Sequence, residues 1–322
     1  MNTPTAVDLD MDVYGTYARS CAIADWLELA AIAGISKSQA DLEDIVSDNG
    51  WTSKQPRMFR LLPEHTGDLP PEEWAEAALS MLSERVDVLG SRWPFRLAPS
   101  GRLTYQRARG KAAGGPRVPS GPRITPYEAV LGICVAHAWK IPTIDNPAHV
   151  LEQTVVRALT QKGLSVASTG TSDRQGKGFA ETLRLAAHEL GLRSQEIPSP
   201  SHLSAQDAGV DTLVRVGWTD LRPAGQWIKI GQVTVGQSND WGKKMSEPLL
   251  AADHWRGYLM ESLMPTPFLV IPHHIARDHL RTLVVPNGGL VIDRLRLTLD
   301  LKTVSPAERR IFKSVVASGV VL

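Results

Sequence analysis

The sequence predicts an α/β protein in which a helical N-terminal module precedes a mixed sheet flanked by helices. Three observations carry that expectation. At 322 residues the chain is about twice a typical domain of ~150 residues, so two domains are expected. Over the first third, apolar residues recur at three- and four-residue spacing, as on one face of a helix. From about residue 146, such segments alternate with short runs rich in β-branched residues, the order of helices packed on a mixed sheet. The boundary is placed between residues 124 and 125, giving a helical module over 1–124 and an α/β domain over 125–322.

In the first module, Ile23, Trp26, Leu27, Ala30 and Ala31 define a helix from Val13 that stops at Gly34. Ser38 can cap a second helix running through Leu42 and Ile45 to Ser47. Pro71-Glu72-Glu73 puts proline and acids in a first turn, and Ala78, Leu79, Leu82 and Val86 carry that helix to about Leu89. None of these helices displays a catalytic set, so their apolar faces are read as packing surfaces. Residues 102–123 then change character: Arg102, Arg107, Arg109, Lys111, Arg117 and Arg123 occur among glycines and prolines without one acid. Such an arm either contacts phosphates or serves as a solubilising loop.

The second half opens with Thr125-Pro126-Tyr127-Glu128, a capping box starting a helix to Trp139. Asp145 or Asn146 caps the next, which runs from Pro147 to a stop at Gly163. Leu164–Ala167 reads as a strand and Phe179–Leu190 as a helix closed by Gly191. Val210–Trp218 and Gln226–Val235 alternate as strands, and the Pro223-Ala224-Gly225 break between them predicts a hairpin. A mostly helical run from Asn239 to Leu263 is interrupted at Pro248. Phe268–Ile271 and Leu290–Leu297 read as strands, and Ser305-Pro306-Ala307-Glu308 opens a last helix with a second capping box.

Composition narrows the function. With 43% hydrophobic and 21% charged residues the chain is neither collagenous nor disordered. Its 35 basic and 34 acidic side chains leave a net charge of +1, which argues against non-specific coating of nucleic acid and requires any such site to be local. Two separated cysteines, Cys21 and Cys134, make neither a secreted disulfide framework nor a zinc site, so a reducing cytoplasm is the expected compartment. The first residues lack the basic and apolar regions of a signal peptide, and no run of ~18 apolar residues occurs, so no membrane partner is expected.

Several motifs fail on spacing. Gly170–Gly178 resembles a phosphate loop, but Gly178 stands where Ser or Thr should hold magnesium. His273, His274 and His279 lack zincin spacing and read as surface or core-edge residues. No G-x-S-x-G elbow is present. The hairpin remains. Asp211 begins its first strand and Gln232 lies toward the end of its second, so the two can meet at one sheet edge. There they either bind a hard divalent cation through oxygen or serve as a turn cap and a backbone partner in an ordinary hairpin.

The segments Gly209-Val210-Asp211 and Gly231-Gln232-Val233-Thr234, behind a helix carrying Glu152, resemble the PD-(D/E)XK nuclease superfamily, specifically its Mrr-like restriction-endonuclease branch, over about residues 146–300. The resemblance implies a restriction-endonuclease-like sheet and a DNA endonuclease that uses Mg2+ or Mn2+. It also implies a setting in bacterial restriction or anti-phage defence, with DNA and other subunits of a defence complex as partners. Asp211, Gln232 and Glu152 would hold the metal, with a backbone carbonyl near Val233 adding an oxygen. The motif lysine should stand at position 234, where this chain has Thr234. Lys229 points to the opposite strand face, which leaves Lys244 or Lys243 as the displaced amine. Arg174 and Lys177, with Arg107, Arg109 and Lys111, are the candidate DNA-backbone contacts. Two alternatives stand beside the nuclease: a degenerate, non-cutting subunit that binds DNA or acts as a scaffold, and an unrelated α/β protein that pairs with a partner through its N-terminal helices.

Overall fold

Helix α1 (Arg19–Ile32) is apolar on nearly every face and is buried over most of its length. Such a helix is stable only when surrounded, and α3 (Pro71–Leu89) and the short antiparallel strands β1 (Phe95–Leu97) and β2 (Leu103–Tyr105) pack around it. Between them runs α2 (Gln39–Asp48), whose start is held by reciprocal bonds: Ser38 N donates to Asp41 Oδ2 at 2.7 Å, and Asp41 N to Ser38 Oγ at 3.3 Å. The Ser38 amide and the Ser38 hydroxyl, which both donate to Asp41 Oδ2, hold the Asp41 carboxyl below its ordinary range. The computed structural model describes residues 19–48, 70–106, 124–170, 179–193, 210–217, 227–256 and 266–319.

The chain divides into two compact units, Met1–Ile144 with Thr303–Leu322, and Asp145–Lys302. This differs from the boundary expected at 124/125. Helix α4 (Pro126–Ala138), opened by the Thr125–Glu128 capping box, belongs to the first unit, and so does the C-terminal helix α10 (Pro306–Ala317), capped by Ser305 and Glu308. The reason is packing. A β-carbon on Gly132 of α4 would lie 2.9 Å from Phe312 Cα of α10, so the glycine lets two helix backbones touch. No local periodicity reveals a partner some 180 residues away. The β1–β2 hairpin also departs from the all-helical expectation for this region.

The second unit is mixed α/β. Its five-stranded sheet has the order β3-β4-β5-β6-β7, formed by Ser165–Ser168, Thr212–Val216, Trp227–Val233, Thr266–Val270 and Leu290–Ile292. β4 runs antiparallel to β3 and β5, while β6 and β7 continue parallel to β5. The expected hairpin is therefore present as β4–β5, in a register that pairs Thr212 with Gly231 and Val214 with Lys229. One sheet face (Ala167, Leu213, Ile228 and Ile230) packs against Leu183, Ala186 and Ala187 of α6 (Phe179–Glu189) and Leu190 just after it. α5 (Pro147–Gln161), begun by Asn146 Oδ1 accepting from Ala148 N at 2.9 Å, and α9 (Arg294–Asp300) pack against each other and also contact the sheet. α7 (Trp241–Arg256), with Pro248 inside it, connects β5 to β6, and α8 (Arg277–Asn287), absent from the sequence reading, connects β6 to β7.

The strand expected over 290–297 is corrected. It ends at Ile292, and Asp293 then caps α9 by accepting from Arg296 N at 3.1 Å. Arg294-Leu295-Arg296-Leu297-Thr298-Leu299 alternates as a strand should, but Arg294 is fully buried and donates Nε to Pro272 O at 2.8 Å. A tertiary bond overrides the local period.

Gly231 is central to the sheet. A β-carbon there would stand 2.1 Å from Phe268 Cζ, so the ring of Phe268 lies directly on the Gly231 backbone. Gly231→Ala should destabilise the second unit by about 1–3 kcal/mol through overpacking. Adding Phe268→Leu should recover part of that loss, which chemical denaturation of the single and double variants would measure. Equal stability of Gly231→Ala and the native chain would contradict this packing.

Candidate active site

The parallel strands β3, β5, β6 and β7 bring their carboxyl ends to one edge of the sheet, and β4 starts at that same edge. In open α/β sheets ligands settle beyond that edge. Asp211 stands one residue before β4, and the register that pairs Thr212 with Gly231 sets Asp211 beside Gln232. Neighbouring positions across an antiparallel pair are ~4.5–5.5 Å apart at Cα. Asp211 N donates to Gly231 O at 2.8 Å, and Asp211 Oδ2 accepts from Val233 N at 2.8 Å. Both Asp211 and Gln232 are buried.

Glu152, on α5, approaches this edge at Gly170, which follows β3. A β-carbon on Gly170 would lie 2.9 Å from Glu152 Oε2, so the carboxylate rests on the bare Cα of Gly170. The Gly170 amide in turn donates to Asp211 O at 3.1 Å, beside Thr169 N at 2.8 Å. Asp211 and Gln232 are thus register neighbours where β4 begins and β5 nears its end, and Glu152 approaches that edge at Gly170. Oxygen donors of this kind suit a hard dication such as Mg2+. Among the described residues, no three His, Cys, Asp or Glu side chains group closely enough to hold a metal ion, so a metal here would rely on the Gln232 carboxamide as its third ligand.

The lysine positions are less direct. Thr234 follows the end of β5, where its N donates to Val270 O at 3.0 Å and its Oγ1 accepts from Gly236 N at 3.0 Å. Lys244 Nζ forms an ion pair at 2.9 Å with Glu247, one turn along α7. Lys243 is exposed on the same helix. Lys229 pairs in register with Val214 and lines a cavity with Phe268. Arg174 and Lys177, and Arg107, Arg109 and Lys111, lie outside the described residues.

The same edge carries residues the sequence reading set aside. His273 and His274, expected at the surface or core edge, are buried just beyond β6. His273 Nε2 lies 3.4 Å from Val235 O, and its ring is 5.3 Å from that of Trp241. The tandem histidines following the apolar strand Phe268–Ile271 were the available signal. In the first unit a second polar group went unread. Arg85, fully buried, pairs with Asp25 and Glu28 at 2.8 Å each, and Glu28 also accepts from Trp93 Nε1 at 2.8 Å and Tyr127 Oη at 2.7 Å. Burial acts against the guanidinium charge, but the opposing charges of Glu28, Tyr127, Asp25 and Cys21 outweigh it and hold its pKa well above the usual range. Two acids three residues apart inside the apolar run Ala22–Ala31 were the readable sign.

Among the described residues no helix is long and apolar enough to cross a membrane. Comparison with protein-family models, with curated proteins and with solved structures returns no match to this chain.

Proposed function

We propose that the second unit is a divalent-metal-dependent endonuclease of the PD-(D/E)XK type, close to the Mrr-like branch, acting on DNA in restriction or anti-phage defence. The observation that supports this reading is that Asp211 and Gln232 are register neighbours across the β4–β5 pair, while Glu152 of α5 rests on Gly170, whose amide bonds to Asp211 O. When bound, Mg2+ would supply Lewis-acid polarisation of a phosphodiester and acidify water. Asp211, Gln232 and Glu152 would hold it. The Val233 amide fixes the Asp211 carboxylate through its 2.8 Å bond, so one oxygen is oriented before any ligand arrives. Gly170 sets how far Glu152 can advance. Lys244, once released from Glu247, would balance charge on the scissile phosphate.

A second reading, a non-cutting DNA-binding or scaffold subunit, is favoured by Thr234 and by the engagement of Lys244 with Glu247. Plasmid incubated with the purified chain, with and without Mg2+, separates the two. The nuclease nicks or linearises DNA only with metal, whereas the scaffold binds it in a salt-sensitive way and leaves it intact. Within the nuclease reading, Lys244→Ala should lower cleavage at least about a hundredfold with DNA affinity retained, and Thr234→Lys should restore activity to that variant. If Lys244→Ala cleaves at the native rate, the displaced-lysine assignment is wrong.

A further inference from the structure

On the sheet face opposite α6, unit 2 contains a cavity of about 470 Å3, within the usual range of small-molecule sites. Its walls are apolar: Leu159 from α5, Val214 from β4, Phe268 from β6 and Leu299 from α9. Leu299 and Leu290 remain 38% and 45% exposed at its margin, apolar surface left open to solvent.

The charges around this apolar slot are unbalanced. Lys162, Lys229 and Arg296 line it with a single acid, Asp300. Asp300 is already taken, because Lys162 Nζ sits 2.8 Å from its Oδ2. Arg296 donates one guanidinium N–H to Val291 O and has further donors to offer. Lys229 is the telling residue. It lies inside β5, the middle strand of the five, half-buried between register partners Val214 and Thr266. Among the described residues its ammonium has no hydrogen-bond or ion-pair partner. A lysine facing an apolar cavity from a central strand costs desolvation that a counter-ion would offset.

We infer that this cavity binds a single-tailed amphipathic anion, a medium-chain aliphatic carboxylate, with its tail along Leu159, Val214, Phe268 and Leu299 and its head group on Lys229 and Arg296. The tail accounts for the open apolar wall and the head group for the uncompensated cations. Lys229 is three residues, ~10 Å along the strand, from Gln232. The inference therefore stands apart from the hydrolytic reading and survives if no cleavage is found.

Calorimetric titration of the full chain with submicellar decanoate, decanol and decyltrimethylammonium tests it. Decanoate should bind at a stoichiometry of one and at least about tenfold tighter than decanol, a difference of ~1.4 kcal/mol, with the cation weakest. Lys229→Met should bring decanoate most of the way down to the affinity of decanol while leaving decanol unchanged. Leu299→Trp, a half-exposed position that a folded chain tolerates, should block both by filling the mouth. Equal affinity for all three probes overturns the proposal, as does decanoate binding indifferent to Lys229→Met or Leu299→Trp. Concentration-dependent dimerisation abolished by Leu299→Trp, with no decanoate binding, would make a second copy the occupant and equally overturn it.

Discussion

Replacing Arg85 by methionine should destabilise the first unit by about 3–5 kcal/mol, because it removes the buried guanidinium that pairs with both Asp25 and Glu28. The loss should depend on pH in a defined direction. Buried and deprived of that guanidinium, the two carboxyls should take folded-state pKa values above their unfolded ones of ~3.9 and ~4.3. A raised carboxyl pKa withdraws stability as pH rises through and above the unfolded value, so the deficit of the variant should be largest at neutral pH and shrink toward pH ~4. Hydrogen exchange of α1 and α3 amides, compared between variant and native chain at both pH values, reads the effect unit by unit. Combining Arg85→Met with Asp25→Leu and Glu28→Gln should recover most of the stability, since the glutamine still offers a carbonyl to Trp93 and Tyr127. A pH-independent deficit would show that the charges are not its source.

Asp211→Asn should lower metal-dependent cleavage by at least about a hundredfold while the sheet stays folded. The distinction from Asp211→Ala is structural. Alanine orphans the buried Val233 amide, a cost of about 1–3 kcal/mol, whereas the asparagine carbonyl can keep that bond and loses only the anionic donor. Cleavage rates at saturating Mg2+, paired with thermal unfolding of each variant, separate loss of chemistry from loss of fold. Native activity in Asp211→Asn would remove the carboxylate from the mechanism and leave the Asp211–Val233 bond as a strand-end clasp.

Local chemistry was legible wherever it acts over a few residues. Thr125–Glu128 and Ser305–Glu308 form the capping boxes their spacing announces, and the Pro71–Leu89 helix begins and ends at its signals. The β4–β5 hairpin follows from two alternating runs around a proline and glycine break, and with it the adjacency of Asp211 and Gln232. Alternation misled at Arg294–Leu299, where the bond from Arg294 to Pro272 and the cap from Asp293 outweigh a strand-like period. The short β1–β2 hairpin and α8 carry too few periodic residues to stand out from their surroundings.

The sequence by itself determined where most of the helices start, that the second half is mixed α/β, and which two strands pair as neighbours. These depend on caps, breakers and periods confined to one segment. Only tertiary structure decided that α10 returns to α4, that Glu152 rests on Gly170 beside Asp211, and that Arg85 closes a circuit with Asp25 and Glu28. It also decided that Lys229 faces an apolar cavity with no acid to spare. Each of these is a contact between segments far apart in the chain. Such a contact exists because backbones approach at a glycine or because a buried charge requires a partner, and neither condition leaves a period in the sequence.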